Sequence, residues 1–135
     1  MTIEDNMISL FTTITLALGI QYPNLLSSIC WVESNHKPEA INIFDNGSPS
    51  FGICQVKLAT AKWLQKRHKL NDITDKDLMT PEINILYAGL YLTYQLNRYN
   101  NIEQAISAYN AGSHIMSNAD YVAKVLKRME YYDEK

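Results

Sequence analysis

The stretch over residues 81–98 constrains the fold of this chain more than any other. Thr80-Pro81-Glu82 reads as a helix start. A hydroxyl can cap the free N–H groups, a proline suits the first helical position, and an acid meets the positive end of the helix dipole. Behind it, Ile83, Ile85, Leu86, Tyr87, Ala88, Leu90, Tyr91, Leu92, Tyr94 and Leu96 leave little of the helix surface polar. A helix that is apolar on most sides must be wrapped by others. Gly89 in its middle costs about 1 kcal/mol relative to alanine, which predicts close approach of a neighbour. The expected class is therefore mainly α with a minor β part (α+β), its helices packed around a central buried one.

The flanking sequence supplies those helices. Apolar positions 10, 11, 14, 17 and 18 recur at helical spacing, and Thr2 with Asp5 forms the pattern of a capping box. Gln21-Tyr22-Pro23 breaks this helix, and Pro23 suits the first position of a second one running to about Ser34. Residues 35–50 are loop-like, with the turn sequence Asp45-Asn46-Gly47-Ser48. A short strand or hairpin is expected at 40–44 and 51–56. Further helices are expected over 59–68, over 102–109 with Asn101 and Gln104 at the cap, and over 119–132 opened by Ser117 and Asp120. Thr74 to Leu78 reads as a short capped turn. With 135 residues and no linker or repeat, residues 1–135 form one domain.

Composition excludes some functions. A net charge of −2 argues against sequence-independent nucleic-acid binding, which wants a basic surface. The apolar run over 7–20 carries three threonines, has acids before it and no Lys or Arg. It lacks the charged start of a signal peptide and is too short to span a bilayer. No stable membrane insertion is expected. Cys30 and Cys54 fit no metal spacing. Two free thiols or one disulfide are both open. Because nothing marks the chain for export, free thiols are expected. His36, His68 and His114 are scattered and read as surface or loop residues, so neither a metal nor a cofactor is implied.

Glu33 is the residue with chemical promise. It follows the apolar run over 25–32 and precedes the loop. Burial disfavours the charged form of a carboxyl and raises its pKa, and a carboxyl protonated near neutrality can act as a general acid. Alone, such a residue is more often simply the first polar position after a core helix.

Other segments change that balance. In order, the chain carries Glu33-Ser34, Pro38, Ala40-Ile41-Asn42, Gly52-Ile53-Cys54-Gln55, Asn84-Ile85 with Gly89, Ala108-Tyr109-Asn110-Ala111-Gly112 and Tyr121-Val122. This ordered set resembles the SLT family of lytic transglycosylases, of the goose-type lysozyme-like superfamily. The likeness covers roughly residues 22–127. It is similar to the compact variants of secretion, conjugation and phage systems. Ile53-Cys54 departs from the family's Leu-Met.

The resemblance implies a lysozyme-like fold with a small loop or β-hairpin region after Glu33. It implies cleavage of the β-1,4 bond between N-acetylmuramic acid and N-acetylglucosamine in peptidoglycan, leaving a 1,6-anhydromuramic end. Glu33 would be the sole catalytic carboxyl. Ser34, Ser50, Gln55, Tyr109 and Asn110 would bind substrate. Ser34 or Ser50 would bond near Glu33 or the sugar N-acetyl group, Gln55 a saccharide amide, and Tyr109 the oxocarbenium-like state. The partners would be peptidoglycan glycan strands, with a phage tail or a secretion or conjugation assembly as the wider setting. Action is expected in the periplasm or wall, by a virion-associated chain or one exported by a route other than a signal peptide. A hydrolysing muramidase on the same fold would need a second carboxylate, for which Asp45 is the candidate. A non-catalytic wall-binding or assembly module is the reading from another class.

Overall fold

The computed structural model describes residues 2–43 and 47–134. Its helices are α1 (Ile3–Ala17), α2 (Leu25–Ser34), α3 (Leu58–Arg67), α4 (Pro81–Tyr99), α5 (Ile102–Ala111) and α6 (Ala119–Asp133). Three two-residue strands, β1 (Ile41–Asn42), β2 (Ser50–Phe51) and β3 (Val56–Lys57), form an antiparallel sheet in the order β1-β2-β3. The register pairs Ile41 with Phe51 and Phe51 with Val56. The class is the mainly helical α+β one expected.

Helix α4 is the hub. It packs against α1, α3 and α5, while α2 lies on α6. Ile85, Ala88 and Leu92, a stripe of i, i+3 and i+7, are wholly buried. Gly89 has the close neighbour its position predicts. A Cβ there would come within 2.8 Å of Ile14 Cγ2 and Leu18 Cδ1, both on the α1 side.

Local chemistry sets several helix ends as expected. Thr2 and Asp5 form the reciprocal capping box of α1. Asn101 Oδ1 accepts the Gln104 N–H at 2.9 Å to open α5. Thr74 and Asp77 bond each other's backbone N–H groups ahead of a 3-10 turn, Asp77–Met79.

Some boundaries differ. Pro23 sits in a turn and α2 begins at Leu25. The cap position falls to Asn24, whose side chain does not cap because its Nδ2 reaches Asp133 Oδ1 at 2.7 Å on α6. Likewise α6 starts after Asn118, not Ser117, and the Asn118 side chain bonds Ser107 and Asn110 instead of its own helix.

The segment 51–56 is not one strand. Phe51 ends β2, residues 52–55 turn, and Val56 begins β3. Gly52 at φ +79° and Gln55 at φ +54° reverse the chain. A side chain at Gly52 would collide with Asn84 and with the Leu78 carbonyl, so glycine is required there twice over.

The expectation of free thiols is overturned. Cys30 of α2 and Cys54 of the turn are joined as a disulfide, with both residues wholly buried. The expectation came from the lack of an export mark, which says nothing about geometry. Cys30 and Cys54 lie 24 positions apart, yet the turn brings Cys54 back onto α2. Their Cα atoms are 4.2 Å apart.

Candidate active site

Glu33 lies in the last turn of α2, half-buried. The helix stops two residues later, where Asn35 (φ +56°) and His36 (φ +60°) take the left-handed conformation. The Ser34 hydroxyl donates to the Ile53 carbonyl at 2.6 Å and accepts the Lys37 N–H at 3.0 Å. The end of α2 is thereby tied to the turn that carries Gln55.

That turn is held from the far side by Asn84. Its Oδ1 accepts the Cys54 N–H at 2.9 Å, and its Nδ2 donates to Phe51 O at 2.8 Å and Leu78 O at 2.7 Å. A wholly buried amide with three of its hydrogen bonds made is a rigid clamp. The disulfide adds a covalent tie between the same turn and α2.

The two ties shape a cleft of about 270 Å³. Glu33, Gln55, Lys57, Tyr91, Tyr109 and Asn110 are among its lining residues. Among the described residues Glu33 is its one carboxylate. Its Oε2 accepts a hydrogen bond from the Tyr121 hydroxyl at 2.8 Å. A second depression, of about 340 Å³, lies by Gln21, Tyr22 and Asn97 and has amides but no carboxylate. Of these two depressions, among the described residues, only the one at Glu33 offers a carboxyl suited to acid–base chemistry.

Two phenols flank the acid. The Tyr109 hydroxyl donates to the Cys54 carbonyl at 3.0 Å. Burial above all, and then the charge of Glu33, pushes the Tyr109 and Tyr121 phenols well above their ordinary ionisation range. Both stay protonated at physiological pH. Tyr109's hydrogen is engaged with Cys54, so its oxygen lone pairs are what it can turn to a developing positive charge.

The residues expected from sequence divide into two groups. Glu33, Gln55, Tyr109 and Asn110 converge on one cleft. Gln55 Nε2 donates to the carbonyls of Ala40 and Gly52 at 3.1 and 3.0 Å, so the amide oxygen is what it can offer a ligand. Asn110 is exposed, with its Oδ1 accepting from Asn118 at 3.1 Å. Ser34 and Ser50 do not line the cleft. Ser34 serves the junction described above, and Ser50 is wholly buried in β2.

Tyr121 is the residue that sequence reasoning passed over, although Tyr121-Val122 was part of the motif set. His36 also departs from its surface assignment. Its ring is half-buried, 5.0 Å from Phe11 and 5.4 Å from Trp31. Nε2 bonds the Ser27 carbonyl at 2.8 Å, and burial lowers its pKa. Among the described residues no group of three or more His, Cys, Asp or Glu is assembled to hold a metal. Asp45 lies outside the described residues.

An acid at the end of a buried helix, facing a cleft closed by a small sheet, is a lysozyme-like architecture. The structure superposes on that of an inactive mutant of lytic transglycosylase Slt from Pseudomonas aeruginosa with a TM-score of 0.83, over 93% of this chain and 24% of that one, at 19% sequence identity. The chain belongs to the Transglycosylase SLT domain family, whose model matches residues 15–130. It is 29% identical over 90 residues to protein IpgF of Shigella flexneri and equally so to protein IpgF of Shigella sonnei. The matched segment is 67% of this chain and 57% of those relatives, so the chain spans little more than half their length.

Proposed function

We propose that this protein is a peptidoglycan lytic transglycosylase that cleaves the bond between N-acetylmuramic acid and N-acetylglucosamine with Glu33 as its only general acid and base. Family membership supports a glycan-cleaving enzyme acting on the cell wall. The observation that carries the finer reading is the isolation of Glu33. Ordinary glycosidases flank the scissile bond with two carboxyl groups. Here, among the described residues, the cleft offers one, with phenols, amides and a lysine around it.

One carboxyl suffices when the nucleophile belongs to the substrate. Protonated Glu33 gives its proton to the departing glycosidic oxygen as the C1–O bond breaks. The carboxylate then takes the proton of the muramic C6 hydroxyl while that oxygen closes on C1. The product is a 1,6-anhydro ring, and Glu33 ends protonated, ready for the next cycle. Tyr121 holds Oε2 in place through both steps. The Tyr109 oxygen faces the positive charge that builds at C1, the Gln55 amide oxygen takes the N–H of an acetamido group, and Asn110 borders the glycan. Ser34 and Ser50 contribute by fixing the walls of the cleft. No cofactor enters these steps.

The substrate makes the wall or periplasm the site of action, alongside a phage, conjugation or secretion assembly. No described helix is long and apolar enough to cross a membrane. The test compares Glu33→Gln with Asp45→Asn on purified sacculi. The proposal expects the first to release no soluble fragments and the second to release them at close to the native rate. An active Glu33→Gln variant would overturn it, and an inactive Asp45→Asn variant yielding to a hydrolytic product pattern in the native enzyme would favour the muramidase.

A further inference from the structure

Asn118 stands at the start of α6, where an asparagine side chain ordinarily caps the free N–H groups of the helix. It does not cap. Its amide turns back to α5 instead. Nδ2 donates to the Ser107 carbonyl at 3.0 Å and to Asn110 Oδ1 at 3.1 Å, and Oδ1 accepts the Ser107 hydroxyl at 2.7 Å. The local preference of the residue is set aside for partners 8 and 11 positions away.

These bonds fix which way each amide points. A backbone carbonyl only accepts, so the NH2 end of Asn118 must face Ser107 O. Ser107 Oγ accepts the Ile115 N–H at 3.0 Å, which leaves its own proton to donate. Asn118 Oδ1 is the nearer acceptor for it, since the Ile115 carbonyl lies at 3.0 Å. The remaining proton of Asn118 Nδ2 then needs an oxygen, and it selects Oδ1 of Asn110. A half-turn of the Asn110 amide would set NH2 against NH2.

Asn110 is exposed and lines the cleft at Glu33. With Oδ1 engaged, its NH2 group is the end that it offers, and among the described residues Nδ2 has no partner. Gln55, on the same cleft, is fixed the other way round. Its Nε2 is spent on the carbonyls of Ala40 and Gly52, so it offers its oxygen. The cleft thus carries one amide donor and one amide acceptor. An acetamido group has one N–H and one C=O.

Resting on the function proposed above, we infer that Asn118 is a positioning residue for the substrate: through Asn110 it gives the cleft the donor that takes the acetyl carbonyl of an N-acetylated sugar. A sugar hydroxyl can turn to suit either end of an amide, whereas an acetyl carbonyl only accepts. The orientation that Asn118 holds therefore selects the acetylated glycan over the amine left when the acetyl group is removed.

The test uses the whole chain and Asn118→Asp, which keeps the side chain's shape and removes its NH2 group. The new carboxylate only accepts, so the Asn110 amide turns its NH2 to it and its oxygen to the cleft. Binding of chitotetraose, an uncharged N-acetylated probe, is measured in a Glu33→Gln background, where the sugar stays intact. Asn118→Asp is expected to weaken binding about tenfold. The preference for chitotetraose over its de-N-acetylated form should shrink by a similar factor. Asn110→Ala is expected to weaken binding of the probe comparably, and adding Asn118→Asp to it to change nothing further. The side-chain NH2 resonances of Asn110 should shift as the probe is added, and should not in Asn118→Asp. On sacculi, Asn118→Asp with Glu33 intact should raise KM and leave kcat near the native value, a split that a loosened fold would not give.

Undiminished binding in Asn118→Asp, additive losses in the double variant, or an equal loss on both forms of the probe would overturn the inference, as would a probe that does not bind the parent Glu33→Gln protein. Where Asn118→Asp lowers Tm, Asn118→Ala, which leaves Asn110 free to turn, is read in its place. A loss of about threefold is then expected, and no loss would overturn it. If the native protein releases no fragments from sacculi, the catalytic reading fails, and the binding comparison still decides the role of Asn118.

Discussion

Tyr121 and Glu33, 88 positions apart, meet through a hydrogen bond of 2.8 Å from the phenol hydroxyl to Oε2. The bond joins the last turn of α2 to the first turn of α6, and so ties the position of the acid to the packing of two helices. A hydrogen bond to a charged acceptor contributes about 1.5–3 kcal/mol.

Tyr121→Phe is therefore expected to lower kcat on sacculi by about 10- to 100-fold, with KM little changed. The ring still packs, so the far-ultraviolet circular dichroism should match the native protein. A variant with native kcat would show that Glu33 is positioned without Tyr121.

The phenols of Tyr109 and Tyr121 also give the protein an alkaline limit. Burial and the charge of Glu33 hold both well above the ordinary value of 10.0 in the folded state. Between the unfolded and folded values the native state keeps protons that the unfolded chain has released, so stability falls as pH rises. Their contribution is complete below pH 10 and is lost as pH climbs through the folded values. Urea midpoints measured from pH 8 to 11 should be level at first and then fall. Tyr109→Phe should flatten that fall, and an unchanged slope would contradict the assignment.

Gly52 is the glycine least able to accept a side chain. Its positive φ and the collision with Asn84 and the Leu78 carbonyl act together. Gly52→Ala should cost about 2–5 kcal/mol, read from the urea midpoint. Gly19 also has a positive φ but open space around it, so Gly19→Ala should cost about 1 kcal/mol. Equal costs would mean that the clamp at Asn84 is not rigid.

The Cys30–Cys54 bridge closes a loop of 24 positions, for which chain entropy alone gives about 3.5 kcal/mol. Thiol titration of the denatured, unreduced protein should find no free thiol. Reduction should lower Tm and also activity, because Cys54 adjoins Gln55 and its carbonyl receives the Tyr109 hydroxyl. Two titratable thiols, or native activity after reduction, would contradict this.

What the sequence revealed follows the range of the interactions involved. The capping box of α1, the Thr74–Asp77 turn and the proline start of α4 are local, and each lies within a few residues of its partner. The centrality of α4 was legible because its apolar surface has no other explanation, and Gly89 marked the approach of α1. Pro23 and Ser117 misled because the neighbouring asparagines direct their side chains to distant partners, Asp133 for Asn24 and Ser107 for Asn118. The disulfide was not legible because a missing export mark carries no information on the turn that brings Cys54 onto α2. Tyr121 was passed over because its partner lies at the other end of the chain, where no periodicity connects them. For Ser34 the motif was visible, but its hydroxyl turned out to face Ile53.

The most direct measurement is the mass of the fragments that the native protein releases from purified sacculi. A single carboxyl using the sugar's own C6 hydroxyl predicts ends lighter by one water, the 1,6-anhydro form, and no such fragments from Glu33→Gln. Reducing ends from the native protein, or anhydro ends from the variant, would contradict it.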